Sequence, residues 1–269
     1  MNRKKRTLAI VAVLVVLLIV LSCWPIYRQI RQDRLNRALI AAIHHGDTPT
    51  ALALLTSGAN PNSRDDPPDM RPIWQEISDI LHGKHLPPSE APTALLLALE
   101  TFRDSDSSVL PLQPALIKGL VDRGADVHVT DENGCPLVFL AIALHADDSP
   151  SDRVKVVRCL LDRGADVNAI GTFNISPLFF AIGLQDEDLV RLLLDRGANA
   201  YELDSDGKRA GTALMFAADK GDTKIVRLLL SRHPDITFKR ATGETALSMA
   251  RKAGHQDIVR LLKQAGEKE

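Results

Sequence analysis

Two histidines that lie close together are the first candidates for chemistry in this sequence of 269 residues. His82 and His85 flank Gly-Lys in a proline-rich stretch, and histidine is the commonest ligand of metal ions in proteins. A zinc site needs three or four ligands, and no third ligand stands at a fixed spacing from this pair. The sequence also lacks a glycine-rich phosphate loop, a Gly-x-Ser-x-Gly elbow and a His-Glu-x-x-His motif. We therefore predict no catalytic residue, no metal and no cofactor, and hence no enzyme.

The cysteines are the second candidates, and their settings differ. Cys135 and Cys159 are not in a Cys-x-x-Cys spacing, so they carry no redox or zinc motif. We interpret both as small buried hydrophobic side chains, with a disulfide between them in an oxidising compartment as the alternative. Cys23 follows an apolar stretch, which makes it a candidate for lipidation.

The first 27 residues form a separate segment. A cluster of four basic residues precedes an almost entirely apolar run over residues 8–23. Extended to residues 7–26, the run reaches about the 20 residues that cross a hydrocarbon core about 30 Å thick. Trp24 and Tyr27 then fall where interfacial aromatic residues are found. We predict a single-pass membrane anchor in residues 1–27.

Two alternatives to an uncleaved anchor involve removal of this segment. Residues 20–23, Val-Leu-Ser-Cys, resemble a bacterial lipobox, in which the cysteine becomes the lipid-bearing terminus. A secretion signal would instead leave a soluble exported form. Arginines follow the run almost as densely as basic residues precede it: Arg28, Arg31, Arg34 and Arg37. The charge bias across the run is therefore small. Because a short, strongly positive tail more commonly stays inside, we expect the N-terminus in the cytoplasm and the body outside it, at the inner or cell membrane.

A fragment that recurs with a period near 33 residues organises the rest of the chain. The ending Leu-Leu-Asp-Arg-Gly-Ala-Asp at residues 160–166 returns at 193–199 with a single change, Asn for Asp. Related endings occupy residues 54–60, 120–126 and 229–235. A second fragment, Thr or Ser, then Pro or Ala, then Leu, precedes three of these endings and follows the last one. Its four copies begin at Thr93, Ser176, Thr212 and Thr245.

Each period predicts two helices. Threonine or serine before an apolar turn can cap a first helix, and glycines such as Gly221 and Gly254 then let the chain reverse. Apolar residues at i, i+1, i+3 and i+4, as in residues 258–262, give a second helix one face to pack back on the first. Gly164 and Gly197 stop that helix in a left-handed turn. The unit is helix, turn, helix and an extended hairpin.

This unit resembles the ankyrin repeat. The family pattern of Gly-x-Thr-Pro-Leu-His-x-Ala, then Gly-His or Gly-Asp, then Ile-Val-x-Leu-Leu is nearly complete in residues 243–262, and the resemblance covers about residues 34–266. It implies an all-α solenoid of six helix-turn-helix repeats, which would follow the N-terminal transmembrane or signal helix predicted from the apolar run. Such a stack has a concave face and a row of hairpin tips. The lipobox and the short, interrupted array favour a bacterial source.

The repeat spacing divides the chain into eight parts. The expected bounds are 1–27 for the anchor, 28–62, 92–129, 130–169, 170–202, 203–238 and 239–269 for the repeats, and 63–91 for an insertion after the first repeat. Apolar residues at positions 73, 74, 77, 80 and 81 predict a short helix inside the insertion.

Two sets of positions are candidates for the partner surface. The histidine of the family pattern is replaced throughout, by Ile40, Leu96, Phe139, Phe179, Met215 and Ser248. We interpret these side chains as core, and an exposed apolar stripe on the concave side is the alternative. At the hairpin tips the partner-binding candidates are Asp131, Glu132, Asn133, Phe173, Asn174, Asp204, Asp206, Lys208, Arg209 and Arg240. The acidic middle tips favour a partner with a basic surface.

Composition sets the outer limits of the function. With 45% apolar and 25% charged residues the chain can bury a core. Without the four basic residues near the N-terminus, 33 − 4 = 29 basic residues face 34 acidic ones, which argues against nucleic acid as a partner. We predict a monomeric, membrane-tethered module that binds a protein partner and does no catalysis. The alternative is an envelope lipoprotein, attached through Cys23, that stabilises or chaperones a partner enzyme.

Overall fold

The computed structural model describes residues 24–25, 27–65, 91–100, 112–143, 149–171, 175–200 and 211–266. Within these ranges the backbone forms twelve helices. In chain order they are α1 (27–44), α2 (Thr48–Thr56), α3 (Ala94–Glu100), α4 (Pro114–Asp122), α5 (Leu137–Ala143), α6 (Pro150–Asp162), α7 (Pro177–Gly183), α8 (Glu187–Asp195), α9 (Ala213–Lys220), α10 (Thr223–Leu230), α11 (Ala246–Lys252) and α12 (Gln256–Gln264). The described residues also contain two isolated antiparallel β-bridges, between Arg64 and Thr93 and between Thr130 and Pro136.

Nearly all of the predicted anchor lies outside the described residues. Of residues 7–26, the structure describes only 24 and 25, which are helical. Among the helices that it describes, none has both the length and the apolar character needed to cross a membrane. Cys23, the pair His82 and His85, and the short helix predicted in the insertion also fall outside the described ranges.

The chain forms two compact units, Met1–Ala94 and Leu95–Glu269. In the first unit, a turn after α1 leads into α2, and the carboxylate of Asp47 accepts a hydrogen bond from the backbone N–H of Thr50 at 3.1 Å, which caps α2. Apolar residues of both helices and of the following turn are buried: Leu39, Ile43, Ala51, Leu55 and Ala59. The amide oxygen of Asn36 accepts from the backbone N–H of Asn60 at 2.9 Å, so α1 is tied to the chain that follows α2.

In the second unit the helices form two rows. Helices α5, α7, α9 and α11, here called the first helices, contact one another in that order. Helices α4, α6, α8, α10 and α12, the second helices, do the same, and α5, α7, α9 and α11 each pack on the second helix that follows. The core between the rows is aliphatic, with Leu137, Leu160, Ile182 and Leu229 fully buried.

Three of the predicted Thr or Ser caps are confirmed, at Ser176, Thr212 and Thr245. The hydroxyls of Ser176, Thr212 and Thr245 accept hydrogen bonds from backbone N–H groups at the third position of α7, α9 and α11, at 3.4, 3.3 and 3.2 Å. At α11 the hydroxyl of Ser248 also accepts from the backbone N–H of Thr245, which completes a capping box. These caps start α7, α9 and α11 at the residue after the Ser or Thr.

The left-handed turns after the second helices are also present. Gly164 and Gly197 have φ of 91° and 86°, a region that side chains with a Cβ seldom adopt. His233 holds the same turn after α10 with φ 53°, although it is not glycine. The repeated turn is therefore set by its place in the unit and persists where the favourable residue is missing.

Candidate protein-binding surface

A row of large apolar side chains lies on the first helices of the second unit. Phe180 of α7, Phe216 of α9 and Met249 of α11 occupy equivalent positions, four residues after the capping Ser or Thr, and all three are half-buried. The equivalent side chain of α5, Leu140, is buried, with 5% of its surface exposed. Apolar area therefore reaches the surface along the last three first helices.

Aromatic contacts hold this row in place. The ring of Phe180 packs edge-on against buried Phe139 with 5.2 Å between centroids. The rings of Phe179 and Phe216 stack at 5.9 Å, and the Lys220 ammonium lies 5.3 Å from the centroid of the Phe216 ring. These contacts link α5 to α7 and α7 to α9, so the half-buried rings belong to a packed cluster.

The positions of the family histidine lie mostly in the core. Ile40, Leu96, Phe139 and Met215 are between 1% and 6% exposed, which confirms the core interpretation for four of the six. Phe179 is half-buried and Ser248 is exposed. The half-buried apolar row lies one residue further along α7, α9 and α11, a position that the sequence reasoning missed. Aligning the repeats would have revealed it as a column of Phe, Phe and Met.

The hairpin tip before α5 carries three of the predicted partner-binding residues. The carboxylate of Asp131 accepts from the backbone N–H groups of Asn133 and Cys135, at 2.9 and 2.6 Å, so Asp131 shapes the turn. Glu132 and Asn133 are exposed. Burial raises the pKa of Glu100, at the end of α3, and the charges of Asp131 and Glu132 raise it further. The tip and the end of α3 together form a local acidic cluster.

The predicted residue Arg240 lies at the tip before α11, where its neighbours constrain it. Its backbone N–H donates to the carbonyl of Glu244 at 2.9 Å, and its guanidinium lies 3.8 Å from the Glu244 carboxylate. The guanidinium also packs on Gly211 so closely that a Cβ at Gly211 would lie 2.6 Å from it. The remaining tip residues lie outside the described ranges: Phe173, Asn174, Asp204, Asp206, Lys208 and Arg209.

The two described cysteines are both free thiols. Cys135 is 3% exposed, which confirms its interpretation as a buried small hydrophobic side chain. Cys159 is half-buried, and burial together with the nearby charge of Asp122 raises the pKa of its thiol. No group of three or more potential metal ligands occurs in the described part of the chain.

Comparison with known proteins identifies the repeated unit. A model of the ankyrin repeat matches residues 35–66, and a model of three ankyrin repeats matches residues 200–269. The chain contains ankyrin repeats. Repeats of this kind indicate a protein–protein interaction module, in agreement with the prediction from the sequence.

Several curated proteins are similar to part of this chain. "Ankyrin repeat, SAM and basic leucine zipper domain-containing protein 1" of Ornithorhynchus anatinus is 38% identical over 97 residues, which are 34% of this chain and 19% of that protein. Its counterpart from Homo sapiens is 33% identical over 88 residues, 32% of this chain and 18% of that protein. "Ankyrin repeat and KH domain-containing protein mask-1" of Caenorhabditis elegans is 35% identical over 99 residues, 35% of this chain and 4% of that protein.

These relatives limit what the ankyrin match conveys. The chain spans less than a fifth of the length of each, and each is named for its repeats and domains and not for an enzymatic activity. All three come from eukaryotes, so they give no support to the bacterial source that the lipobox favoured.

Two kinds of ion pair connect neighbouring second helices of the ankyrin units. The guanidinium of Arg153 in α6 donates to the carboxylate of Asp186, the cap of α8, at 2.7 Å, and the two side chains are only 3% and 6% exposed. At the opposite ends of these helices, an arginine that follows one second helix contacts an aspartate at the end of the preceding second helix. The pairs are Arg163 with Asp122, Arg196 with Asp162 and Arg232 with Asp195. The recurring Asp-Arg before the turn glycine is the sequence signal for this second set.

A cleft of about 320 Å³ lies between the second helices α6 and α8. Charges of both signs line it, from Arg158, Asp188, Arg191, Asp195 and Arg196. Arg191 is engaged by Glu187 at 2.7 Å, and Arg196 by Asp162 at 2.8 Å. The walls of the cleft therefore offer neither a continuous apolar surface nor a strong excess of one charge that would select a ligand.

Proposed function

We propose that this chain is a membrane-tethered ankyrin-repeat module that binds a protein partner on its first helices and hairpin tips and performs no catalysis. The observation that carries the proposal is the half-buried row of Phe180, Phe216 and Met249 on consecutive first helices. Aromatic residues and methionine are the apolar types enriched in the buried centres of protein interfaces.

Charge beside the row supports a partner with mixed chemistry. Lys220 and Lys252, at the ends of α9 and α11, are exposed and lie at the same end of their helices. The acidic cluster of Glu100, Asp131 and Glu132 belongs to the earlier part of the same unit. A partner segment with apolar anchors and a basic patch facing the cluster would match these features, as expected for an interface with an apolar centre and a polar rim.

Quantitative co-purification of the tagged full chain tests the partner surface. The variant Phe180→Ser/Phe216→Ser/Met249→Ser removes the row, and we expect it to lose at least one protein that the wild-type chain recovers. The control Arg158→Ser/Arg227→Ser/Arg260→Ser changes three exposed residues of the second helices and should retain that protein. Far-UV circular dichroism and thermal melting establish that each variant is folded. Identical recovery by both variants would contradict the proposal.

We propose further that residues 7–26 tether the module as an uncleaved single-pass anchor. The support is the length and apolar character of that stretch and the interfacial aromatic residues Trp24 and Tyr27. An anchor would raise the effective concentration of the repeats for partners at the same membrane. Lipidation at Cys23, with the chain acting to stabilise or chaperone a partner enzyme, is the alternative that the lipobox resemblance supports.

Protease protection on intact membranes, combined with the intact mass, distinguishes these forms. With a tag on Glu269, digestion by external protease would put the repeats outside the cytoplasm, as proposed. Retention of the full mass supports the anchor, whereas loss of the first 22 residues with added lipid mass supports attachment through Cys23. Protection of the tag would overturn the proposed orientation.

We also propose that the six helix pairs correspond to six repeats with the bounds 28–62, 92–129, 130–169, 170–202, 203–238 and 239–269, separated by an insertion at 63–91. We propose a monomer, since from α4 onward the second helices pack on one another within the chain. Light scattering of the purified chain would test this, and a mass of twice the monomer would contradict it.

A further inference from the structure

Helix α1 presents a face that its own unit leaves exposed. Its buried residues, such as Leu39, Ile40 and Ile43, lie on one side. At about 100° per residue, Tyr27, Ile30, Arg31, Arg34 and Arg37 all fall within about 120° on the opposite side, and all five are exposed. We call these five residues the outer face of α1.

The composition of the outer face is unusual for a helix surface. Four large hydrophobic side chains are exposed in the described residues, and three belong to α1 or immediately precede it: Trp24 at 62%, Tyr27 at 61% and Ile30 at 43%. The rings of Trp24 and Tyr27 lie near each other, with 6.2 Å between centroids. Large apolar side chains thus stand in water at the end of α1 nearest the predicted anchor.

Within the described residues, the arginines of the outer face have no ion-pair partner. No salt bridge to Arg31, Arg34 or Arg37 occurs among the described residues, in contrast to the arginines at the ends of the second helices. Arg37 acts on Asp33 only at longer range, lowering a carboxyl pKa that burial raises more strongly. Three guanidinium groups therefore project on the same side as Tyr27 and Ile30.

We propose that the outer face of α1 binds the surface of an anionic lipid bilayer. Arginine guanidinium groups donate to lipid phosphates, often through two hydrogen bonds, while tyrosine and isoleucine enter the boundary between headgroups and acyl chains. A basic, partly apolar helix face next to a membrane segment is attracted to whichever leaflet carries anionic headgroups, so this proposal does not depend on the side of the membrane on which the repeats lie. The occupant is a lipid surface because the face combines exposed apolar side chains with three arginines that form no salt bridge among the described residues.

This inference extends the proposed tether, and apart from Tyr27, which borders both, it acts through different residues. The anchor would use the apolar interior of the bilayer and residues 7–26, whereas the outer face would use headgroup charge and residues 27–37. Contact through the outer face would fix α1 along the membrane plane. Anchor and outer face can therefore fail separately.

Hydrogen exchange of the full chain, after detergent removal in the presence of vesicles, tests the proposal. One preparation contains phosphatidylcholine alone, and the other contains equal parts of phosphatidylcholine and phosphatidylserine. We expect the amides of residues 27–37 to exchange at least severalfold more slowly on the anionic vesicles, while those of Gln256–Gln264 exchange equally on both. Salt at about 1 M, where the Debye length is about 3 Å, should abolish the difference.

Matched variants show whether arginine charge causes the slowing. Arg31→Gln/Arg34→Gln/Arg37→Gln should lose the dependence on anionic lipid, whereas the same three positions changed to lysine should keep it. The control Arg158→Gln/Arg227→Gln/Arg260→Gln removes equal charge elsewhere and should behave as wild type. Equal exchange on both lipids, or a glutamine variant that matches wild type, would overturn the proposal.

Flotation of the same samples separates the outer face from the anchor. If the chain floats with neutral vesicles, the anchor is present, and the exchange comparison decides the role of the outer face. If it floats only with anionic vesicles, the anchor proposal fails and the outer face is supported. In that case the triple glutamine variant should need about a hundredfold more lipid for half-maximal binding, from about 1 kcal/mol for each arginine. Flotation with neither vesicle overturns both proposals.

Discussion

The two ends of the second helices use the same residue types under opposite conditions. At the start of α8, the Arg153–Asp186 pair is almost completely shielded from water. At the other end, pairs such as Arg196 with Asp162 are substantially exposed, at 28% and 55%. Both sets join one second helix to the next, but only the first set is buried.

Burial changes what such a pair contributes. An exposed pair is screened by water and salt and stabilises by about 0–1 kcal/mol. A buried pair adds little to stability compared with an apolar replacement, yet removing one member leaves an unpaired charge in the core. The number of ion pairs between neighbouring second helices therefore does not show which of these pairs the stability of the fold depends on. The position of each contact relative to water decides.

The largest predicted effect comes from breaking the buried pair. Arg153→Met should lower the free energy of unfolding by about 3–5 kcal/mol, because one carboxylate oxygen of Asp186 then has no partner. Urea denaturation followed by circular dichroism measures this change. A loss below about 1 kcal/mol would mean that the buried and exposed pairs do not differ as described.

Removing both charges should restore most of that loss. Arg153→Met/Asp186→Ser removes both charges of this pair, and serine can still accept from the backbone N–H of Leu189 to cap α8. We expect a stability within about 1 kcal/mol of wild type in the same urea assay. A double variant as unstable as the single one would show that the pair itself, not the stranded charge, stabilises the junction.

An intermediate effect should come from the turn that follows α8. Gly197→Ala is expected to cost about 1 kcal/mol from the left-handed backbone alone, since φ is 86° and no atom lies within 4 Å of an added Cβ. Gly183→Ala, at the end of α7, is the matched control. There the Cβ would meet the Phe216 ring at an ordinary 3.7 Å, so alanine should stabilise by about 0.5–1 kcal/mol. Thermal melting of both variants checks this, and equal signs would contradict it.

The smallest effect should come from an exposed pair. Asp162→Ala removes the partner of Arg196, but it also removes a negative charge from the end of α6, where the helix dipole disfavours one. We expect a net loss below about 1 kcal/mol that disappears in high salt. A salt-independent loss of several kcal/mol would erase the contrast between the two ends of the second helices.

The sequence predicted those parts of the fold that depend on local chemistry. Ser176, Thr212 and the turn glycines act on backbone groups a few residues away, so their types and spacing are sufficient. The Arg153–Asp186 pair could not be predicted in this way, because it joins residues of two neighbouring helix pairs. It also depends on which side of α6 is shielded from solvent. The row of Phe180, Phe216 and Met249 was missed for a similar reason, since the neighbouring helix pairs decide which side chains of a first helix are exposed. The tip residues outside the described ranges remain predictions.

Site-specific photocrosslinking tests the proposed interface most directly. Phe180, Phe216 and Met249 would each be replaced, one at a time, by p-benzoylphenylalanine in the full chain expressed in its own cells, with Arg158, Arg227 and Arg260 as control positions. We predict that the three row positions yield an adduct of the same mass and the three control positions do not. Adducts from the control positions alone, or equally from both sets, would contradict binding through the first helices.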